Sequence, residues 1–278
     1  MRTDWTDLPE DLRNRIAVKT GSIARIDPAP TGNHADIAST LHTATGRVFV
    51  KAARKLDDRD GPEVMSLRRE ASVNPAVSEF APRLRWQIEA GEWLALGFEH
   101  VQGRPADFSA GSPDLETLAR TIHAIHDAPC PDVAMLAAER RWQRFVDDPA
   151  PLAVGGVLLH TDLNQDNFVI TTDGRAHVVD WAFATRGAPW LELVLLIPWL
   201  LKAGHHPQAA EEWVAQFRAW AEADATDIDT FTAAFAQQWR AASERRNDAW
   251  ITRHADLTGR WADYRLKTRS MTNVGQGA

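Results

Sequence analysis

One mid-chain segment limits the possible folds more than any other: Leu158-Leu159-His160-Thr161-Asp162-Leu163-Asn164-Gln165-Asp166-Asn167-Phe168-Val169-Ile170-Thr171-Thr172-Asp173-Gly174-Arg175-Ala176-His177-Val178-Val179-Asp180-Trp181. Asp173-Gly174 lies between two β-forming runs, and both residue types tolerate the positive φ of a two-residue hairpin turn. Counting outward from that turn pairs Thr172 with Arg175, Ile170 with His177, and Asn167 with Asp180. Directly opposed side chains have Cβ atoms roughly 4.5–5.5 Å apart, so an amide oxygen and a carboxylate at the open end of the hairpin suit one hard cation. Asn167 and Asp180 are therefore candidate Mg²⁺ ligands, the rest of the shell coming from water and the phosphates of ATP. Asp162, on the loop leading into the hairpin, is placed to take the proton of an attacking hydroxyl beside such a phosphate. His160 ends an apolar run and is expected to pack beneath the loop and orient it.

Around this segment the pattern divides into two lobes. Strands are expected at Val18 to Ile26, Ile37 to Thr43 and Arg47 to Ala52, with turns at Thr31-Gly32-Asn33 and Thr45-Gly46. A helix opened by Pro62 runs to Ala76. Two more strands, Leu84 to Glu89 and Trp93 to Phe98, flank Ala90-Gly91. Residues 1–100 thus read as a small antiparallel sheet with one helix. Residues 101–278 read as a larger, mainly helical lobe, in which Leu115, Leu118, Ala119, Ile122 and Ile125 recur at helical spacing, and Ala209 to Arg240 and Asp248 to Arg265 continue the pattern. The fold class expected is α+β.

Composition excludes several classes. At 278 residues, 44% hydrophobic and 25% charged, the chain can bury a sizeable core. The single cysteine, Cys130, excludes an internal disulfide and a cysteine zinc site, and points to the cytoplasm. The first residues show no apolar run of the export type. Trp190 to Leu201, the most apolar stretch, is interrupted by Glu192 and Pro198, and reads as a buried helix rather than a membrane span. A net charge of −7 disfavours nucleic acid and suits a cationic small molecule. The acidic group Glu211, Glu212, Glu222, Asp224, Asp227 and Asp229 reads as a solvated helix face.

His-x-Asp-x-x-x-x-Asn followed by a hairpin and Asp resembles the signature of the aminoglycoside phosphotransferases and related small-molecule kinases, over most of the chain. The resemblance implies a bilobal, protein-kinase-like fold. It assigns Lys51, on the third strand, to the nucleotide phosphates, and Glu70, on the next helix, to pair with it. It makes Leu96 to Gly103 the interlobe hinge, with backbone groups of Glu99 and Val101 on adenine, and likens Leu118 to His126 to a family helix. Asp162 becomes the catalytic base with His160 beside it, and ATP and Mg²⁺ the cofactors. Several features depart from relatives. Pro30 to Asp36 carries one glycine, Asp180-Trp181-Ala182 replaces the Asp-Phe-Gly of protein kinases, and Ala188 and Glu192 stand where relatives typically have Asp. No P-loop sequence occurs.

The expectation is an ATP- and Mg²⁺-dependent phosphotransferase acting on a hydroxyl of a small molecule, with an antibiotic such as an aminoglycoside or basic peptide foremost, as a monomer with no membrane partner. A metabolic kinase for choline, homoserine, a sugar or a macrolide is the nearest alternative. A silent nucleotide-binding scaffold is another, as is a metal-dependent hydrolase using His160, Asp162, Asp180 and His123 or His126. Those two histidines and Cys130 read as structural. Of the 12 tryptophans, Trp181 and Trp190 lie nearest the proposed site in sequence.

Overall fold

The computed structural model describes residues 4–29, 35–57, 59–246 and 248–275, with backbone only for the last five of these. The expected turn at Thr31-Gly32-Asn33 lies outside the described residues. The chain divides into two compact units: Met1–Pro105 with Pro131–Met135 and Asn167–Ala184, and Ala106–Cys130 with Leu136–Asp166 and Thr185–Ala278. It passes between them repeatedly, where the sequence pattern has one crossing after residue 100.

The first unit is built on strands β1 (Ile23–Pro28), β2 (Ile37–Thr43), β3 (Gly46–Arg54), β4 (Leu84–Ala90) and β5 (Trp93–Glu99), paired antiparallel in the order β1-β2-β3-β5-β4. Both faces are apolar, because β3 and β5 alternate core residues to either side. Val48, Val50, Ala52 and Ala95 pack with Leu12 and Ile16 from helix α1 (Glu10–Thr20) and with Leu8 just before it. Ala53, Leu94, Leu96 and Phe98 pack with Val64 and Leu67 from α2 (Pro62–Val77). By the same alternation Lys51, between Val50 and Ala52, faces α2.

Helix α1 corrects the sequence expectation, which began a strand at Val18. Leu8, Leu12 and Ile16 recur every four residues and are buried, whereas Val18 lies on the outer face, 84% exposed. Charged residues between those contacts hid the period. Gly21, at φ 76°, ends the helix by donating its amide to Ala17. Strands β2, β4 and β5 begin where expected, β3 begins one residue earlier, and Pro62 opens α2 at its first turn.

A second small sheet orders β10 (Ala176–Val178), β9 (Phe168–Thr171) and β6 (Gly103–Pro105). The hairpin register differs from the expectation by one residue: Ala176 pairs with Ile170, His177 with Val169, and Val178 with Phe168. The turn therefore takes three residues. Thr171 accepts the amide of Gly174, whose φ is 78°, and donates its own amide to Arg175. Asp173 holds this wider turn through Arg175 Nε at 2.8 Å and the Thr171 hydroxyl. Asn167 and Asp180 are consequently not directly opposed. Asn167 accepts the amide of Val179 at 2.9 Å, and Asp180 follows in left-handed backbone.

The second unit contains α3 (Asp114–Asp127), α4 (Ala138–Trp142), α5 (Trp190–Lys202), α6 (Pro207–Val214), α7 (Arg218–Ala221), α8 (Ala225–Arg245) and α9 (Ala249–Gly275), with a small sheet ordered β7 (Leu136–Ala137), β11 (Thr185–Gly187), β8 (Val157–Leu159). The stretch expected as one helix pattern from Ala209 to Arg240 is divided among α6, α7 and α8. Helix α5 is buried nearly all round, which accounts for its run of leucines. No helix among the described residues is long and apolar enough to cross a membrane. The acidic group is not wholly a solvated face. Arg265 on α9 binds Glu211 on α6 at 2.8 Å and Asp229 on α8 at 2.5 Å, with its side chain only 12% exposed.

Gly97 on β5 pairs with Trp86 on β4, and a Cβ at Gly97 would run into the Trp86 indole. Gly97→Ala should cost roughly 1–3 kcal/mol in urea unfolding by overpacking, and much less in a Trp86→Ala background. An equal cost in both backgrounds would show that the indole is not the obstacle.

Candidate active site

Lys51 is the centre of the first unit's polar cluster. Strand β3 sends its side chain into the apolar layer under α2, where an ammonium persists only if paired. Its Nζ meets both carboxylate oxygens of Glu70, at 3.0 and 2.9 Å, and Oδ1 of Asp180 at 2.9 Å. All three are largely buried, with side chains 11, 6 and 16% exposed. Burial alone pushes the Lys51 ammonium down, but Asp180 and Glu70 outweigh it and hold lysine above its ordinary value. Burial pushes Glu70 up, against the Lys51 charge, and the nearby Asp180 carboxylate adds to the rise. Two carboxylates thus share one ammonium, and the cluster keeps an excess of negative charge.

Three local devices place Asp180. Trp181 packs on Phe80 at 5.9 Å and donates its indole N–H to the Val178 carbonyl. The Phe80 carbonyl accepts the amide of Val178 at 2.7 Å. Arg69 on α2 donates to the carbonyl of Ala182. Asp180 itself holds φ 64°, a conformation open to Asp because its short polar side chain tolerates it.

Beside the cluster is a cavity of about 350 Å³. Phe49, Phe98, Val169, Val179 and Trp181 give it apolar walls, and Lys51, Glu70 and Asp180 also line it. Glu99 and Val101 reach it with His100 between them, and the Glu99 amide donates to Arg83 at 2.9 Å. An apolar slot with a few convergent charges suits a flat ring carrying an anionic tail. Asn167, at the start of β9, is buried.

The second unit holds His160 and Asp162 on the loop after β8. His160 is fully buried, and its Nδ1 accepts the amide of Asp162 at 3.2 Å, which places its ring proton on Nε2. Thr161 has φ 65°, a strained setting for a β-branched residue. Asn164 donates to the Asp162 carboxylate at 3.0 Å and through its backbone amide to the Asp162 carbonyl at 2.8 Å. Asn164 had no assigned role in the sequence reading; its spacing of two from an aspartate is the signal that could have found it.

Glu192, in the first turn of α5, fixes the loop from below. Its carboxylate accepts the amides of His160 at 2.5 Å and Thr161 at 2.8 Å. Burial pushes the Glu192 carboxyl up to about 7, against those two amide donors. Trp190, two residues earlier, is buried edge-on to Phe231 at 5.8 Å and serves packing. His123 packs at a tilt against Phe217 at 4.7 Å, and burial holds His126 down to about 4. Among the described residues no group of three or more His, Cys, Asp or Glu is gathered to hold a metal ion, as the hydrolase alternative requires.

Between pH 4.5 and about 7 the folded chain keeps a proton on Glu192 that the unfolded chain has released. Its contribution to stability therefore falls as pH rises through that window, by about 3 kcal/mol in total. Urea unfolding free energies of wild type and Glu192→Gln should diverge across this window, the variant losing less stability. Parallel curves would mean that Glu192 titrates near its unfolded value.

The sequence and the fold were compared with known proteins. A comparison with curated protein sequences finds no match. Solved structures do resemble the chain. Aminoglycoside phosphotransferase APH(4)-Ia is 15% identical at TM-score 0.61, covering 92% of this chain and 97% of that one. Choline kinase LicA from Streptococcus pneumoniae is 11% identical at TM-score 0.58, covering 93% and 99%. Spectinomycin phosphotransferase APH(9)-Ia, in complex with ADP and spectinomycin, is 11% identical at TM-score 0.57, covering 95% and 99%. At these identities the likeness is one of fold, and the fold is the kinase-like one of these enzymes. A family profile described as the phosphotransferase enzyme family matches residues 40–231, which include the strand of Lys51, the helix of Glu70, the His160–Asp180 segment and Glu192. The chain belongs to the phosphotransferase enzyme family.

Proposed function

We propose that this phosphotransferase moves the γ-phosphoryl group of ATP to a hydroxyl of a small, cationic molecule, an aminoglycoside-type antibiotic being the leading acceptor. The observation that carries this reading is the Lys51 ammonium held between Glu70 and Asp180 at the wall of an apolar cavity. A nucleotide needs both parts: an apolar slot for the base and a fixed positive charge for the phosphates. Backbone groups of Glu99 and Val101 would meet adenine, and Lys51 the phosphates. Relatives in fold are described with ADP or AMP bound, which supports a nucleotide here.

The residues present fit Mg²⁺. Asn167 and Asp180 offer oxygen donors suited to a hard cation, and the lysine cluster carries one carboxylate more than it has ammonium groups. Held by these two residues, Mg²⁺ would supply charge neutralisation for the phosphates. Asp162 would receive the acceptor's hydroxyl proton as the oxygen–phosphorus bond forms and the bond to ADP breaks. Asn164 orients that carboxylate, and His160 and Glu192 hold the backbone beneath it.

The acceptor is inferred from charge and from the company the fold keeps. The net charge of −7 favours a cation, and structures alike in fold include aminoglycoside and choline kinases. ADP production with Mg·ATP should be stimulated by at least one compound in a panel of aminoglycosides, basic peptides, macrolides, choline and simple sugars. Asp162→Asn should lower that rate on the order of 100-fold or more while ATP affinity changes little. Undiminished turnover in Asp162→Asn would remove its role as base, and ATP binding without stimulation or slow hydrolysis would favour the silent scaffold.

A further inference from the structure

We propose that Arg141 is a positioning residue for this reaction, acting on the Asp162 loop through the hydroxyl of Thr161; this rests on the phosphotransferase reading above. Nothing in the sequence marked Arg141. It sits on α4, directly after β7, and the small sheet pairs Thr185 on β11 with Leu136 on β7 and with Leu159 on β8. That pairing sets the Thr185 side chain close to the end of β8, where the loop begins. Arg141 Nη1 donates to Thr161 Oγ1 at 2.6 Å and to Thr185 Oγ1 at 3.1 Å. Thr185 is fully buried and Thr161 nearly so, so both hydroxyls are shielded from water that could replace the guanidinium.

Thr161 is the residue that needs such a hold. A β-branched side chain disfavours positive φ, and backbone strain of this kind persists only where the surroundings over-determine it. Glu192 fixes the amides of His160 and Thr161 from one direction, and Arg141 fixes the Thr161 side chain from another. Asp162 comes next in the chain, its amide on His160 and its carboxylate on Asn164. Consecutive loop residues are therefore each held, Thr161 by Arg141 and Glu192 and Asp162 by His160 and Asn164, so the Arg141 bond acts on the carboxylate assigned as base through one peptide link.

Arg141 also acts by charge. The charged groups facing Glu192 are Asp162 from the loop, which raises its carboxyl, and Arg141 from α4, which lowers it. Glu192 must be ionised to accept both amides, so the loop is held best above the pH at which Glu192 takes a proton. Removing the Arg141 cation should move that pH upward. A side chain that only packed the fold would not shift the pH dependence of the chemical step.

The test compares wild type with Arg141→Gln, Arg141→Lys, Thr161→Val and Thr161→Ser. ADP production with Mg·ATP is followed from pH 5.5 to 9, using about the same panel as above and water alone as acceptors. Arg141→Gln should lower kcat on the order of tenfold or more with KM for ATP nearly unchanged, and should shift the acid limb of the kcat profile to higher pH. Arg141→Lys, which keeps the charge but loses the fork, should lower kcat without moving the limb, and it serves if Arg141→Gln does not fold. Thr161→Val should match Arg141→Gln in kcat, and Thr161→Ser should recover most of that loss. Wild-type kcat in Arg141→Gln, or a loss with the limb in place and Thr161→Val fully active, overturns the proposal. If wild type transfers phosphate to neither the panel nor water, the phosphotransferase reading itself fails, and the assignment of Arg141 fails with it.

Discussion

A lysine ammonium under an apolar helix cannot stand alone, and much of the first unit is arranged around that constraint. The alternation of β3 that buries Val50 and Ala52 on one face commits Lys51 to the other, below α2. Glu70 comes from that helix and Asp180 from the turn after the β9–β10 hairpin, each at hydrogen-bond distance. Removing the Lys51 ammonium would leave two buried carboxylates without their shared partner, which costs far more than the cluster contributes beyond an apolar replacement. Such a cluster is poor evidence of selection for stability. Its surplus negative charge and its place on the cavity wall are what suit it to a cation and phosphates.

The second unit meets a different constraint with a similar device. Thr161 occupies left-handed backbone, and the buried Glu192 carboxylate binds the two amides that this geometry turns inward. Glutamate has one more methylene than the aspartate typical of the resembling kinases, and here it still reaches both donors from the first turn of α5. Neutral pH is close to its titration, so the grip on the loop is sensitive to nearby charges.

Much of this was legible in the sequence, and the misses have physical causes. The five strands of the first sheet and the Pro62 start of α2 follow from alternating and helical patterning, the order in which the last two strands pair does not, and the pairing of Lys51 with Glu70 came from the family resemblance. Helix α1 was missed because its apolar core contacts, Leu12 and Ile16 with Leu8 just before the helix, are spaced four apart among charges, so the apolar signal is thin. The hairpin was set one residue out because Asp-Gly alone does not fix turn length; the Thr171 and Asp173 side chains select the three-residue turn. Arg141 was illegible because it reaches Thr161 and Thr185 only through the pairing of three very short strands. The acidic group looked solvated because its partner, Arg265, lies far along the chain on α9.

The most direct test of the central claim is a calorimetric titration of wild type and Lys51→Met with ATP, in Mg²⁺ and again in EDTA. The account requires wild type to bind ATP more tightly with Mg²⁺ than without it, and Lys51→Met to lose affinity on the order of tenfold or more in Mg²⁺. Equal affinities with and without Mg²⁺, together with an unaffected Lys51→Met variant, would contradict it and leave the lysine cluster a structural ion pair.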